Sequence, residues 1–234
     1  GNDNDFTSSG FDTADQVTDT PTNNKCTWSS ISHGPTTTKP TLSNGGTQIG
    51  AGSLGDCCVG ATMSVSSGKW YWEYEMTSGT GGTPAQILGV MTDGYVMSSG
   101  AANLEGERGY YTTGQKSSGG TLTSYDNSWA VGDRMGVAVD LDNDSIYFAK
   151  NNTFQNSGDP TSGASKTGAA FTDLTGGPWF PFVWGGGNRA STVIFNEDDF
   201  EYTPPANFKA LATANLPAPT IKDGTANFQT TLYT

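Results

Sequence analysis

An alternating run of aromatic and acidic residues, Lys-Trp-Tyr-Trp-Glu-Tyr-Glu-Met, occupies positions 69–76. Successive side chains of a β-strand point to opposite faces, so the run separates into two sets. One set is apolar and consists of Trp70, Trp72, Tyr74 and Met76. The other set consists of Tyr71, Glu73 and Glu75. The alternation predicts a strand with one face in the core of a β domain.

Residues 135–150 predict the hairpin that pairs with this strand. Asn143 and Asp144 have the turn chemistry of a two-residue hairpin loop. The pairs expected in this register are Leu141 with Ile146 and Val139 with Phe148. These apolar residues then share one face with Val137, so the turn and the hydrophobic pattern agree.

The flanking sequence contains further short apolar runs separated by Gly, Ser, Thr and Asn, which is typical of many strands joined by turns. We expect extended chain with one edge strand within residues 1–30, and a hairpin at 41–48, where Asn44-Gly45 marks the turn. Further strands are expected at 59–65, 86–91, 180–184 and 191–195. Residues 105–128 are predicted to be loop-like, and 207–212 to form one short helical turn.

Composition excludes several function classes. The chain has 234 residues, 32 of them Gly, and a formal net charge of −12. Such an acidic surface repels phosphate backbones and anionic lipids, so nucleic acid is not an expected partner. No apolar run approaches the ~20 residues that span a bilayer, so membrane insertion is not expected. Because the chain begins with Gly1, it is interpreted as a piece of a longer protein.

Covalent cross-links are not expected to hold the domain together. The three cysteines, Cys26, Cys57 and Cys58, are odd in number and lack the C-x-x-C spacing of zinc sites. The six Trp, nine Tyr and eleven Phe supply large side chains for a core instead.

Three segments together resemble the SPRY (B30.2-type) domain. Residues 66–75, Ser-Ser-Gly-Lys-Trp-Tyr-Trp-Glu-Tyr-Glu, are similar to its Gly-x-x-Tyr-Trp-Glu-Val-Glu strand. Residues 132–142, Gly-Asp-Arg-Met-Gly-Val-Ala-Val-Asp-Leu-Asp, are similar to its Gly-Asp-x-(hydrophobic)-Gly-Val-x-x-Asp segment. Residues 145–152 resemble the partner strand of that segment, which usually ends in Lys-Asn-Gly.

The flanks resemble the version of this domain found in phage and other viral structural proteins. Residues 15–24 resemble the segment that leads into that version, and residues 202–211 and 214–221 resemble the segment that leaves it. One departure lies at 195–200, where two acids replace the Gly-Gln that often precedes the last Phe.

The resemblance implies an all-β, concanavalin A-like (lectin-like) antiparallel β-sandwich over residues 1–204. Residues 205–234 are then a Pro-containing connector to further parts of a longer protein. The implied function is a non-catalytic recognition module of a phage or virus structural protein, located on the virion or outside the cell, that binds a host-surface glycan or protein through loops. The alternative is a structural or decoration subunit of the capsid or tail. In either case other virion proteins are candidate partners, and the parent protein can form homo-oligomers.

Loop aromatics and polar residues without an obvious core role are the candidate ligand-binding residues. They are Tyr95, Tyr110, Tyr111, Tyr125, Trp184, Asn188 and Arg189. No cofactor is expected.

Other chemistry is less well supported by the sequence. Glu73 and Glu75 have the strand spacing of a glycosidase pair, but the third acid of laminarinase-like enzymes is missing, so a glycoside hydrolase is the least favoured reading. The single histidine, His33, lacks the neighbours of a catalytic triad. The Asp-x-Asp-x-Asp run at 140–144 lacks the Gly and Glu of an EF-hand loop and is interpreted as a turn, with a weak surface cation left open. No catalytic or metal-ligating residue is therefore predicted.

Overall fold

The computed structural model describes residues 23–33, 41–50, 57–79, 85–92, 106–186 and 189–217, and their regular structure is almost entirely β-strand. In chain order the strands are β1 (Trp28–His33), β2 (Leu42–Ser43), β3 (Gln48–Ile49), β4 (Cys57–Ala61), β5 (Lys69–Gly79), β6 (Ala85–Thr92), β7 (Glu107–Tyr111), β8 (Gln115–Ser118), β9 (Thr121–Ser124), β10 (Arg134–Asp140), β11 (Ser145–Lys150), β12 (Thr153–Phe154), β13 (Trp179–Gly186), β14 (Arg189–Ile194) and β15 (Lys209–Ala210). Short 3₁₀ turns occupy Gln155–Ser157, Gly163–Ser165, Glu197–Asp199 and Thr213–Asn215.

The strands form two sheets. The seven-stranded sheet has the order β1-β4-β13-β6-β7-β8-β9. The eight-stranded sheet has the order β12-β11-β10-β5-β14-β3-β2, with β15 added in parallel to the start of β5. All other pairings are antiparallel, and the two sheets pack as a sandwich. The predicted fold class is confirmed.

The centre of the eight-stranded sheet is the predicted pairing of β5 with the β10–β11 hairpin. β10 lies antiparallel to β5, with Val137 opposite Trp72 and Val139 opposite Trp70. The apolar set predicted for β5 belongs to the main core, as does Val137. The alternation of this segment was therefore sufficient to identify its core face.

The register predicted for the β10–β11 hairpin is wrong by two residues. The structure pairs Val139 with Ile146 and Asp140 with Ser145, which leaves a four-residue loop at 141–144. The longer loop forms because the Asp140 carboxylate accepts hydrogen bonds from the backbone N–H groups of Asp142 (3.1 Å) and Asn143 (3.2 Å). A shift by two residues keeps each side chain on its face, so the predicted core face survives.

The main core lies between the sheets. The eight-stranded sheet contributes large side chains such as Trp72, Tyr74 and Phe148. The seven-stranded sheet contributes alternate residues of its strands, including Leu88 and Val90.

The reverse faces of both sheets carry apolar clusters as well. On the eight-stranded sheet, Tyr71, Ala138 and Tyr147 are buried together with Phe208. The prediction of a single core face for β5 is therefore incomplete, because the segment after β14 covers its second face. On the seven-stranded sheet, Ile87 and Phe182 belong to a cluster whose positions alternate with those of the main core.

Residues 105–128, predicted to be loop-like, form strands β7, β8 and β9. Their Gly and Ser content has two structural causes. Gly109 lies where a Cβ would come within 2.3 Å of the Ile87 side chain, so the approach of β7 to β6 requires a glycine. Gly119 and Gly120 form the β8–β9 turn with positive φ angles of 57° and 71°.

The helical turn predicted at 207–212 is replaced by β15. Lys209 and Ala210 lie beside Trp70 and Tyr71 of β5, and Leu211 is buried in the main core. The domain boundary predicted at residue 204 stays a prediction, but the chain that follows it packs on the sandwich as far as Leu216.

Other strands match their predictions closely. The hairpin with Asn44 and Gly45 in its turn is formed by β2 and β3. β1 is an edge strand, but it extends to His33, beyond the segment 1–30 in which one was expected, and β6 covers the strand predicted at 86–91. β13 and β14 are also present, but they lie in different sheets, so the connection between them crosses from one layer to the other.

Candidate functional site

Several strand ends meet at one end of the sandwich, where β5 and β13 end and β6, β10 and β14 begin. The register shows this directly, because Gly79 lies opposite Arg189 and Ala85 lies opposite Gly186. Three described connections lie at this end: residues 112–114, 125–133 and 151–152. We refer to these three connections together as the loop end.

The connection 125–133 is held in place by backbone hydrogen bonds to β5 in one sheet and to the turn that follows β7 in the other. Trp129 N–H donates to the Thr112 carbonyl (3.0 Å), and Gly132 N–H donates to the Met76 carbonyl (3.1 Å). A loop bonded to both layers in this way has a defined shape before any ligand arrives, which lowers the entropy that binding must remove.

Trp129 anchors this loop to the main core. Its side chain is buried, and its ring meets that of Tyr74 edge-on with centroids 6.0 Å apart. Its neighbours Ser128, Ala130 and Val131 are exposed, and the Val131 side chain is 45% exposed. The buried indole therefore fixes a short segment that presents an apolar side chain to solvent.

An ion pair joins this loop to the β11–β12 turn. Lys150 Nζ lies 3.1 Å from Asp133 Oδ2 and donates to the Ser128 carbonyl at 2.8 Å. Asn151 Nδ2 donates to Asp133 Oδ1 at 2.8 Å. Partial burial acts to raise the pKa of Asp133, but the donors from Asn151, the Ala130 backbone and Lys150 outweigh it, so the pKa lies below its usual value.

Amide side chains also belong to the loop end. Asn127 is exposed, and its side-chain Nδ2 donates to Asp126 Oδ1 (2.7 Å) and to Gln155 Oε1 (3.1 Å). Asn151 and Asn152 form the β11–β12 turn with positive φ angles of 47° and 65°. The loop end thus combines an exposed apolar side chain with polar groups, and both occur at protein-recognition surfaces.

Two of the candidate ligand-binding residues support the loop end from inside. Tyr110 is fully buried in the main core, and its hydroxyl donates to the Asn127 carbonyl. Tyr125 packs edge-on against Tyr110 with ring centroids 5.1 Å apart. Their ligand-binding role stays a prediction, and in the structure they position the backbone of the loop.

Tyr111 and Trp184 lie in one row across the seven-stranded sheet, because both are opposite Ile87. Trp184 is buried in the cluster on the reverse face of that sheet, and Tyr111 packs against the same cluster. Arg189 is buried beside Gly79, where a Cβ would come within 2.9 Å of Nη1. Tyr95 and Asn188 lie outside the described residues.

Sequence reasoning missed Asn127, Trp129, Val131 and Asn152. One signal was present in the sequence: Trp129 is a lone aromatic residue in a polar segment immediately before the strongest hairpin. A large apolar side chain in such a position is commonly a buried anchor for the loop that carries it. The exposure of Val131 had no sequence signal.

The acids considered for catalysis have structural partners. Glu73 is fully buried, and its carboxylate accepts hydrogen bonds from the backbone of Glu201 and Tyr202 at 2.9 Å each and from the Tyr71 hydroxyl at 3.1 Å. Glu75 lies 3.3 Å from Arg134. Glu73 therefore fastens the segment after β14 to the sheet, whereas Glu75 pairs with the neighbouring strand β10.

The remaining candidates for chemistry form no centre among the described residues. Asp140 pairs with Lys69 at 2.7 Å and closes the β10–β11 loop, as the turn interpretation requires. Within the described ranges, no three His, Cys, Asp or Glu side chains are grouped to hold a metal ion. Cys26 and Cys58 are fully buried. No described helix is long and apolar enough to cross a bilayer.

Comparison with known proteins identifies both the family pattern and the fold. The family model of the SPRY domain matches residues 69–198. The crystal structure of the SPRY domain of human HERC1 superposes with a TM-score of 0.58 at 16% identity, covering 75% of this chain and 99% of that one. The TRIM65 PSpry domain gives a TM-score of 0.55 at 16% identity, covering 74% and 90%. No curated protein shows significant sequence similarity. At this identity the solved structures support the fold alone.

Proposed function

Because the chain belongs to the SPRY domain family, whose members are non-catalytic protein-binding modules, we propose that it recognises a partner protein through its loop end. The observation that carries the proposal is the 125–133 loop. It is bonded to both sheets, anchored by Trp129, and exposes Val131 together with Asn127.

The chemistry of the loop end favours a peptide or protein ligand. Asn and Ser side chains donate and accept hydrogen bonds with backbone amides, and an exposed apolar residue provides a desolvated contact at the centre. The charged groups Asp133 and Lys150 satisfy each other, so the surface does not require a strongly charged partner.

The test begins with peptides selected on the wild-type chain from a displayed random library. The affinities of the selected peptides are then measured by fluorescence anisotropy for wild type and for Val131→Asp, which places a carboxylate at the apolar centre. We expect the variant to bind at least about 10-fold more weakly.

The matched control is Ser66→Asp, which adds a carboxylate at an exposed position in the turn before β5, at the opposite end of the sandwich. Its affinity should equal that of wild type. Equal binding to Val131→Asp and wild type, or failure to enrich any peptide, would contradict recognition at the loop end.

The finer prediction places the module in a virus particle, with a host-surface glycan or protein as the ligand, or with an assembly role in the capsid or tail. It rests on the sequence resemblance of the flanking segments. A glycan array probed with the purified chain tests the carbohydrate ligand. Light scattering tests assembly, because an assembly subunit should form defined oligomers or bind particle proteins.

A further inference from the structure

Strand β9 forms one edge of the seven-stranded sheet. It pairs with β8 through a regular register that runs from Thr121 opposite Ser118 to Ser124 opposite Gln115. No strand within the described ranges pairs with its other side. All four of its residues are exposed, and the Leu122 side chain is 37% exposed.

The other described edges differ from β9. β12 and β2, the edges of the eight-stranded sheet, are two residues long. β1 has an irregular register against β4 between Trp28 and His33. Short strands and bulges are among the ways in which proteins prevent edge pairing, and β9 shows no bulge in its register.

The turn geometry determines which backbone groups of β9 face outward. Gly119 and Gly120 form a two-residue loop with both φ angles positive, so the closing pair Ser118 and Thr121 exchanges hydrogen bonds across the hairpin. Residues directed towards β8 alternate with residues directed away from it. The N–H and C=O groups of Leu122 and Ser124 therefore point to the open side.

The β8–β9 hairpin is held in shape before any binding. The buried Glu107 carboxylate accepts hydrogen bonds from Gly119 N–H (3.0 Å), Gly120 N–H (2.9 Å) and the Ser117 hydroxyl (2.8 Å). A strand that adds to a preformed edge has to order only itself, which favours binding.

The side chains of β9, Thr-Leu-Thr-Ser, include no charge and no proline. Edge strands that avoid pairing commonly carry Lys or Pro. Thr121 and Thr123 point to one face and Leu122 to the other, so an added strand would contact hydroxyl and methyl groups on one side and an apolar side chain on the other.

We propose that β9 accepts an extended segment of a partner protein as an additional antiparallel strand, with neutral side chains along its length and basic residues at its ends. Charge selects this occupant over a second copy, because each copy carries a net charge of −12 and two copies repel each other. The exposed Asp126, two residues beyond the strand, favours a basic end. This surface is additional to the loop end.

The probe is a synthetic peptide of alternating Thr and Val with a Lys at each end, acetylated and amidated. It is titrated into the ¹⁵N-labelled full chain. The expected result is saturable binding with amide shifts centred on β8 and β9 and slower hydrogen exchange at Leu122 and Ser124, whose N–H groups would become bonded.

Leu122→Pro removes an outward N–H group and leaves the hydrogen bonds to β8 in place. We expect this substitution to weaken binding of the probe peptide at least about 10-fold. Leu122→Ala keeps the N–H group, so its affinity for the probe should lie within about 3-fold of the wild-type affinity. Ser124→Pro repeats the test at the second outward residue. Circular dichroism shows which variants are folded, and one folded proline variant is enough to test the role of the outward N–H groups.

Three results would overturn strand addition at β9: equal probe affinity for both proline variants and wild type, amide shifts confined to other strands, or no saturable binding at about 1 mM peptide. A peptide with Glu in place of both Lys should bind more weakly. A dimer in light scattering that is lost in Leu122→Pro would overturn the choice of occupant.

Discussion

Glu107 is a carboxylate inside a β-sheet, surrounded by donors of the β8–β9 turn. Burial acts to raise its pKa, and hydrogen bonds from Gly120, Ser117 and Gly119 act to lower it. Burial outweighs the donors, so the pKa lies above its ordinary value of 4.5. A carboxyl group with a raised pKa in the folded state binds more protons there than in the unfolded chain, so its contribution to stability is lost as pH rises.

Replacement of Glu107 by Gln should therefore change the pH dependence of stability. We expect the unfolding free energy of Glu107→Gln, relative to wild type, to increase as pH rises from below 4.5 towards neutrality. Urea denaturation at several pH values measures this. Asp159→Asn is the control: hydrogen bonds from Thr161 lower the pKa of Asp159, so the relative stability of this variant should fall, not rise, with pH. A relative stability of Glu107→Gln that falls with pH would show that the donors outweigh burial.

Cys26 illustrates how burial suppresses reactivity. Desolvation raises the pKa of its thiol to about 11, so only about a thousandth is thiolate at pH 8. We expect Cys26 in the folded protein to resist iodoacetamide and to react fully in urea. Mass spectrometry of the digested protein measures the extent of labelling at each cysteine separately. Rapid labelling in the native state would contradict the burial of this thiol.

Among the elements, the β10–β11 hairpin depends on one acidic side chain. Asp140 is 1% exposed, pairs with Lys69 and accepts three hydrogen bonds from its own loop. Removing one partner of such a network leaves the remaining donors unsatisfied or strained.

Asp140→Ala should lower the unfolding free energy by about 2–4 kcal/mol, because it leaves Lys69 and the loop N–H groups without their acceptor. The control is Asp142→Ala, two residues away, whose exposed carboxylate accepts one bond from Gly68 N–H at 2.8 Å. It should lower stability by about 1 kcal/mol or less. Chemical denaturation measures the unfolding free energies of both variants. Equal decreases would argue against the special role of Asp140.

At the scale of the whole molecule, the segment after β14 closes the sandwich. It reaches back across the eight-stranded sheet, adds β15 to β5, and inserts Leu211 into the main core. The backbone of Cys26, near the start of the described chain, bonds to the Leu211 carbonyl at 2.9 Å. The two ends of the domain are thus stabilised together.

The unfolding temperatures of truncated chains should show which residues after β14 the folded domain requires. A chain ending at Pro217 is expected to unfold at the temperature of the full chain, whereas one ending at Pro204 loses Phe208 and Leu211 and should unfold at a much lower temperature or fail to fold. Leu211→Ala in the full chain should lower the unfolding free energy by about 2–4 kcal/mol. Calorimetry measures all three. Equal melting of the two truncated chains would place the domain boundary at 204.

The local features of this protein follow from its sequence alone. Periodicity at 69–76 identified a strand and its core face, because alternation follows directly from strand geometry. The residues of the central hairpin were recognisable for the same reason, and the family likeness rested on them.

Features that depend on distant partners could be identified only in the folded structure. The strands at 107–124 form because β6 approaches Gly109 and because Glu107 binds the β8–β9 turn. The Asp140 carboxylate that closes the hairpin loop pairs with Lys69 of the neighbouring strand β5, and the ring of Trp129 meets that of Tyr74. Each of these contacts joins residues from different turns or strands, and a pattern along the chain carries no information about which of them meet in space.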